Sequence, residues 1–141
     1  MSRIFWDTML FIYLLEDHPK FAARTREILD RSYNRGDSLF TSCFALGELM
    51  VGTQKSSNPQ TAHEITRIIC EMGFSLLPFD EGAVIPFGSI RSKQKVKIAD
   101  AINLACASSA GVDLYLTGDT ELFRIDVPGV QFIADFNSSV F

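Results

Sequence analysis

Four acidic side chains stand alone in segments otherwise free of charge. Asp7 is the only charged residue between Arg3 and Glu16, Glu48 the only one between Asp37 and Lys55, and Asp100 the only one between Lys97 and Asp113. Asp119 follows the run Leu114-Tyr115-Leu116-Thr117 after Gly118. A carboxylate is seldom placed in apolar surroundings without a partner, so each of these calls for an explanation. Brought together, four carboxylates repel one another and raise each other's pKa unless cations compensate. Hard oxygen donors with neither His nor Cys among them suit Mg²⁺ or Mn²⁺. One or two such ions position a water, assist its deprotonation and stabilise the charge that develops on a phosphoryl group during in-line displacement. The chemistry within reach of these residues is therefore phosphodiester hydrolysis.

That chemistry requires elements that bring the four acids to one place. Ile4-Phe5-Trp6 reads as a buried strand ended by Asp7-Thr8, with a helix continuing through Met9 to Leu15. A helix is expected over Lys20 to Asn34, stopped beyond by Gly36, followed by a strand Leu39-Phe40-Thr41. Ser42 is a natural N-cap for a helix from Cys43 to about Thr53, broken at Ser56-Ser57-Asn58-Pro59. Helix resumes from Gln60 to Glu71 and closes at Gly73. Phe74 to Phe79 is a strand that Pro78 confines to a sheet edge or ends. Asp80 and Glu81 read as N-cap and first-turn acid of a helix to about Ile90. An alanine-rich helix from Lys97 to Ala110 stops at Gly111, and strands follow at Asp113 to Thr117 and Val130 to Ala134. This alternation predicts a single three-layer α/β domain over residues 1–141 with a mainly parallel sheet. In such a sheet the ligand crevice lies beyond the carboxyl ends of the strands. Asp7 and Asp119 belong at that edge, and Glu48 and Asp100 lie on helices that can reach it.

The 141 residues carry 17 Asp and Glu against 13 Lys and Arg, a formal charge of −4. That balance argues against a nucleic-acid partner until its distribution is seen. Residues 82–99 hold four bases and no acid, all within Arg91-Ser92-Lys93-Gln94-Lys95-Val96-Lys97, and this strip runs directly into Asp100. Outside the quartet the chain has 13 acids and 13 bases. The acidity is local to the proposed pocket, and Arg91, Lys93, Lys95 and Lys97 are candidate contacts for the phosphates of a phosphodiester substrate beside it.

Taken together, Asp7-Thr8 after an N-terminal strand, Thr41-Ser42 followed by Glu48-Leu49 and Gly52, the helix start Lys97-Ile98-Ala99-Asp100-Ala101, and Thr117-Gly118-Asp119 followed by Phe123 resemble the PIN-domain family. The likeness covers nearly the whole chain and is greatest to the single-domain VapC-like ribonuclease toxins. The resemblance implies an α/β/α PIN-like fold with a parallel sheet of about four or five strands, Mg²⁺- or Mn²⁺-dependent endoribonuclease activity, frequent homodimers and inhibition by a small antitoxin. It assigns Asp7, Glu48, Asp100 and Asp119 as catalytic metal ligands, with Thr117 at the family's hydroxyl position. Thr8 and Asn103 are expected in support behind the acids; from sequence, Thr8 is equally a helix-capping hydroxyl. Two positions depart from the family pattern. Met9 stands where Asn is common, and Asn103 where a small or aliphatic residue is usual. Neither removes an acid.

The alternative is a catalytically silent module of the same fold that binds RNA or regulates a partner. Two other α/β enzymes with a strand-end Asp are disfavoured. A haloacid-dehalogenase-type phosphotransferase needs a second Asp where Met9 stands, and a phosphoacceptor receiver needs a Lys after a late strand, yet the last lysine is Lys97. The longest apolar stretch, Met9 to Leu15, is far short of the roughly 20 residues of a membrane span, and Asp7 interrupts any signal-like region. A cytoplasmic protein without membrane contact is expected, with Cys43, Cys70 and Cys106 as reduced core thiols. His18 and His63 read as surface residues, and Asp113 and Asp126 as loop or strand-entry residues. Among twelve phenylalanines, Phe11, Phe136 and Phe141 are candidates for a partner surface.

Overall fold

Strand runs that alternate between two apolar sets require a sheet covered on both faces, and the computed structural model, which describes residues 1–55 and 61–138, has that arrangement. The chain runs β1 (Arg3–Trp6), α1 (Thr8–Leu15), α2 (Ala22–Arg35), β2 (Ser38–Ser42), α3 (Cys43–Lys55), α4 (Thr61–Glu71), β3 (Phe74–Leu77), α5 (Glu81–Lys93), α6 (Ile98–Ala110), β4 (Leu114–Thr117), a 3-10 helix (Thr120–Arg124) and β5 (Phe132–Asp135). The five strands pair in the order β3-β2-β1-β4-β5, every pairing parallel. Ile4, Trp6, Leu39 and Leu116 pack on one face against Leu10, Phe11, Ile28, Leu49 and Ile69 of α1 to α4. Phe5, Phe40 and Tyr115 pack on the other against Ile90 of α5 and Ala101, Leu104 and Cys106 of α6. The expected three-layer α/β/α fold with its five-stranded parallel sheet is therefore present.

Strand order matters most for the site. From β1 the chain builds outward through β2 and β3, then crosses to the far side of β1 to lay down β4 and β5. The order reverses between β1 and β4, which opens the crevice at their carboxyl ends. The registers Phe5 opposite Tyr115 and Trp6 opposite Leu116 bring the ends of β1 and β4 level, so Asp7 and Asp119 leave the sheet on either side of that point.

Most local expectations hold within a few residues. Gly36 and Gly111 end α2 and α6 in the left-handed conformation, at φ 72° and 66°. The strand before Pro78 stops at Leu77 and lies at the sheet edge. The helix capped by Asp80 runs on to Lys93, carrying Arg91 and Lys93 with it. The 3-10 helix was not expected; a five-residue turn gives too little periodicity to read. The break at Ser56 to Pro59, Gln60 and Phe141 lie outside the described residues.

Five side-chain expectations are corrected. Cys43 and Cys70 are exposed and only Cys106 is a core thiol; the first sits on the outward side of α3 and the second on that of α4, where helical rotation overrides an aliphatic neighbourhood. Phe11 and Phe136 are buried and not on a partner surface: the Phe11 ring packs with Trp6 and Phe74, and the Phe136 ring with Tyr13 and Phe21. His18 is only half-exposed: its Nδ1 accepts the backbone N–H groups of Lys20 and Phe21 at 3.1 and 3.2 Å, anchoring the approach to α2. His63 is exposed, as expected. Among the described residues no helix is long and apolar enough to cross a membrane.

Candidate active site

Asp7 begins the site because strand β1 ends one residue before it. Its backbone N–H still donates to the Leu116 carbonyl of β4 at 3.0 Å, while its side chain caps α1, Oδ1 accepting the Thr8 N–H at 2.7 Å. The other oxygen, Oδ2, accepts the Thr117 hydroxyl at 2.7 Å. The same Thr117 Oγ1 accepts the backbone N–H of Asp119 at 3.1 Å. One hydroxyl at the end of β4 thus holds the acids that follow both central strands. Asp119 is further oriented by capping the 3-10 helix, its Oδ1 accepting the Glu121 N–H at 3.0 Å.

Glu48 arrives from α3. That helix starts where Ser42 Oγ accepts the Ala45 N–H at 2.8 Å. Two turns later Glu48 Oε1 accepts the Thr8 hydroxyl at 2.7 Å. The two sequence readings of Thr8 are thereby separated: Asp7 does the capping, and the Thr8 hydroxyl serves Glu48. Asn103 is 1% exposed, and its Oδ1 accepts the Ser42 hydroxyl at 2.5 Å. This bond ties the start of α3 to α6, the helix that carries Asp100 one turn before Asn103.

The electrostatics agree with convergence. Burial raises the pKa of Asp100 to about 6, with Asp7, Asp119 and Glu48 pushing in the same direction and Lys97 opposing them. Asp7 is also raised, by burial first and against the hydrogen bonds from Thr117 and Thr8, with Glu48 and Asp119 adding to the rise. Tyr115 lies beneath; burial, and then the charges of Asp7, Asp100 and Glu48, push its phenol up. Its hydroxyl has no hydrogen-bond partner among the described residues. As they stand, no three His, Cys, Asp or Glu side chains among the described residues are close enough together to hold a metal ion. The donor set nevertheless fits a hard divalent cation. The charges of Asp7, Glu48 and Asp119 all act on Asp100, opposed there by Lys97, and both Asp7 oxygens keep acceptor capacity beyond the single hydrogen bond each receives.

The basic strip divides. Arg91, Lys95 and Lys97 line one open cavity of about 890 Å³ together with Asp100. Lys93 does not share it and lines a separate, more apolar cavity of about 320 Å³ with Ile85 and Pro86. Arg124, at the end of the 3-10 helix, lines the first cavity and was missed by sequence reasoning. Its signal was its solitude: it is the only base after Lys97 in an otherwise acidic segment.

The PIN domain family matches residues 4–128. The chain belongs to the PIN-domain family. Among curated proteins none matches it. The PIN domain is similar in fold to the structure of DNA-bound VapBC from Salmonella typhimurium, with TM-score 0.75 and 24% identity over 96% of this chain and 99% of that one. It is similar to VapBC2 from Rickettsia felis bound to a promoter DNA fragment, with TM-score 0.71 and 16% identity over 94% and 97% of the two chains. The third likeness is to VapC20 of Mycobacterium tuberculosis, described as a sarcin-ricin loop cleaving toxin, with TM-score 0.64 and 14% identity over 87% of this PIN domain and 96% of that chain.

Proposed function

We propose that this PIN domain is a divalent-metal-dependent endoribonuclease and the toxin of a toxin–antitoxin pair. The observation that carries the reading is the mutual electrostatic influence of Asp7, Glu48, Asp100 and Asp119, from four separate elements, near the point where strand order reverses and beside a cationic cavity. Membership of the family, and the fold shared with a toxin described as cleaving the sarcin-ricin loop, support RNA as the substrate. The likeness to VapBC complexes supports a small antitoxin partner, and a homodimer in the cytoplasm completes the proposal.

The four carboxylates would hold Mg²⁺ or Mn²⁺, which supplies an activated water and offsets phosphoryl charge. The chain's own contributions are orientation and exclusion of alternatives. Thr117 and Thr8 fix the carboxylate planes of Asp7 and Glu48 through donated hydroxyls, so neither acid is free to rotate towards solvent. The Ser42–Asn103 bond sets the spacing between the helices that carry Glu48 and Asp100. Arg91, Lys95 and Lys97 would attract the phosphates of the strand to the side of the site where Asp100 lies.

The test is cleavage of structured and unstructured RNA by purified protein in Mn²⁺ or Mg²⁺, with EDTA, Asp7→Asn and Asp100→Asn as controls. Cleavage lost in all three controls is expected. Folded protein that binds Mn²⁺ yet cuts no RNA would refute the nuclease reading, and protein with no Mn²⁺ affinity would favour the silent module of the same fold.

A further inference from the structure

The cavity beside Asp100 has walls from two parts of the chain. One is the end of α5 and its link to α6, with Arg91, Lys95 and Lys97; the other is the 3-10 helix, with Arg124 and Glu121. Of the six arginines elsewhere, five pair with a carboxylate, namely Arg24, Arg26, Arg31, Arg35 and Arg67, and Arg3 donates to the Ala110 carbonyl and lies over the Phe40 ring. None of the four cavity cations is in a salt bridge among the described residues. A chain of net charge −4 therefore keeps four cations facing one open space with only Asp100 and Glu121 against them. Like charges held without counter-ions suit a polyanion that brings its own. A volume of about 890 Å³ is near the top of the range for small-ligand sites, ~300–1,000 Å³, and too small for a duplex.

The walls are also fastened to each other. The Gln94 side-chain amide donates from Nε2 to the Asp126 carbonyl at 3.0 Å, and its Oε1 accepts the Asp126 N–H at 3.4 Å. This two-point clasp joins the α5–α6 link to the segment after the 3-10 helix. On the first wall Arg91 Nη1 donates to the Val96 carbonyl at 2.6 Å, which steadies the link and leaves the guanidinium further N–H groups.

We propose that this groove seats the backbone of a single RNA strand beside the carboxylates, with Arg124 contacting a phosphate and Gln94 positioning the Arg124 wall against the Arg91–Lys97 wall. The proposal rests on the ribonuclease reading for the identity of the strand, but its binding step needs no cleavage.

The experiment measures binding of a fluorescent single-stranded oligoribonucleotide in EDTA across a series of salt concentrations, with far-UV circular dichroism confirming the fold of each variant. Each phosphate contact contributes about −0.7 to the slope of log K against log salt. Arg124→Gln should make the slope shallower by about 0.7 and weaken binding about five-fold at 0.1 M salt. Gln94→Ala should weaken binding with the slope unchanged, because it loosens a wall without removing a phosphate contact. Lys93→Gln, outside the groove, should leave the slope as it is. No binding by the unaltered protein, an unchanged slope for Arg124→Gln, or equal losses for Arg124→Gln and Lys93→Gln would overturn the groove. Unaltered protein that binds with the expected slope but leaves RNA uncut in Mn²⁺ would refute the nuclease and leave the groove standing.

Discussion

Replacing Asp100 by Asn should abolish cleavage and at the same time stabilise the metal-free protein. Asp100 has a pKa of about 6 in the fold, against 3.8 for an ordinary Asp. About two pKa units correspond to at most ~3 kcal/mol held against the folded state when the group is charged. The side chain is half-exposed, and solvent screening reduces this to about 1.5 kcal/mol. Loss of a favourable charge in the first turn of α6 takes back about 0.5 kcal/mol, while Asn and Asp differ little in helix propensity. A net gain of about 1 kcal/mol remains, a rise of roughly 4 °C in Tm for a domain of this size. The pH dependence carries the sign. Well below pH 3.8 Asp100 is neutral both folded and unfolded, its helix-end charge is gone, and the two proteins should match. The penalty grows as pH rises towards 6 and is complete above it, so the advantage of Asp100→Asn should be seen at pH 8 and fade towards pH 4. Urea unfolding in EDTA at the two pH values measures this. Saturating Mn²⁺ should reverse the order, because only the unaltered site gains the binding free energy. An Asp100→Asn protein that is less stable than the original at pH 8 in EDTA would refute the penalty that burial, and then the neighbouring acids, place on the Asp100 charge.

Two further outcomes test the supporting residues. Thr117→Val removes the hydroxyl shared by Asp7 and the Asp119 backbone, and should lower Mn²⁺ affinity by about 10–100-fold, as calorimetric titration would show, with the fold intact. Gly129→Ala should destabilise the chain by about 1–3 kcal/mol in urea unfolding, because Gly129 has φ 89° and an added Cβ would lie 2.6 Å from the Ser108 carbonyl oxygen.

How far the sequence could be read differs between the site and its surroundings. The acids were legible because a lone carboxylate in an apolar segment is a local anomaly, and Asp7 and Asp119 were placed at a strand end by their immediate neighbours. Thr8 was not legible: an Asp-Thr pair at a helix start offers two capping side chains, and only the position of Glu48, 40 residues away, decides between them. The cysteines misled because an aliphatic neighbourhood on a helix contains outward positions as well as inward ones. Lys93 and Lys95 sit two residues apart in one basic strip, yet the extra helical turn to Lys93 directs that residue to a different cavity.

By itself the sequence determined what depends on near neighbours: alternating strands and helices, their caps and stops, apolar sets with the period of each element, and four acids left unexplained by their surroundings. Tertiary structure alone decided which strands are neighbours, and so where the crevice opens. Helix and strand signals come from residues within a turn or two, whereas the crossing of β4 to the far side of β1 follows from how two whole apolar faces are covered. The Ser42–Asn103 bond, the shared hydroxyl of Thr117 and the recruitment of Arg124 to the groove all span that crossing, and no local pattern contains them.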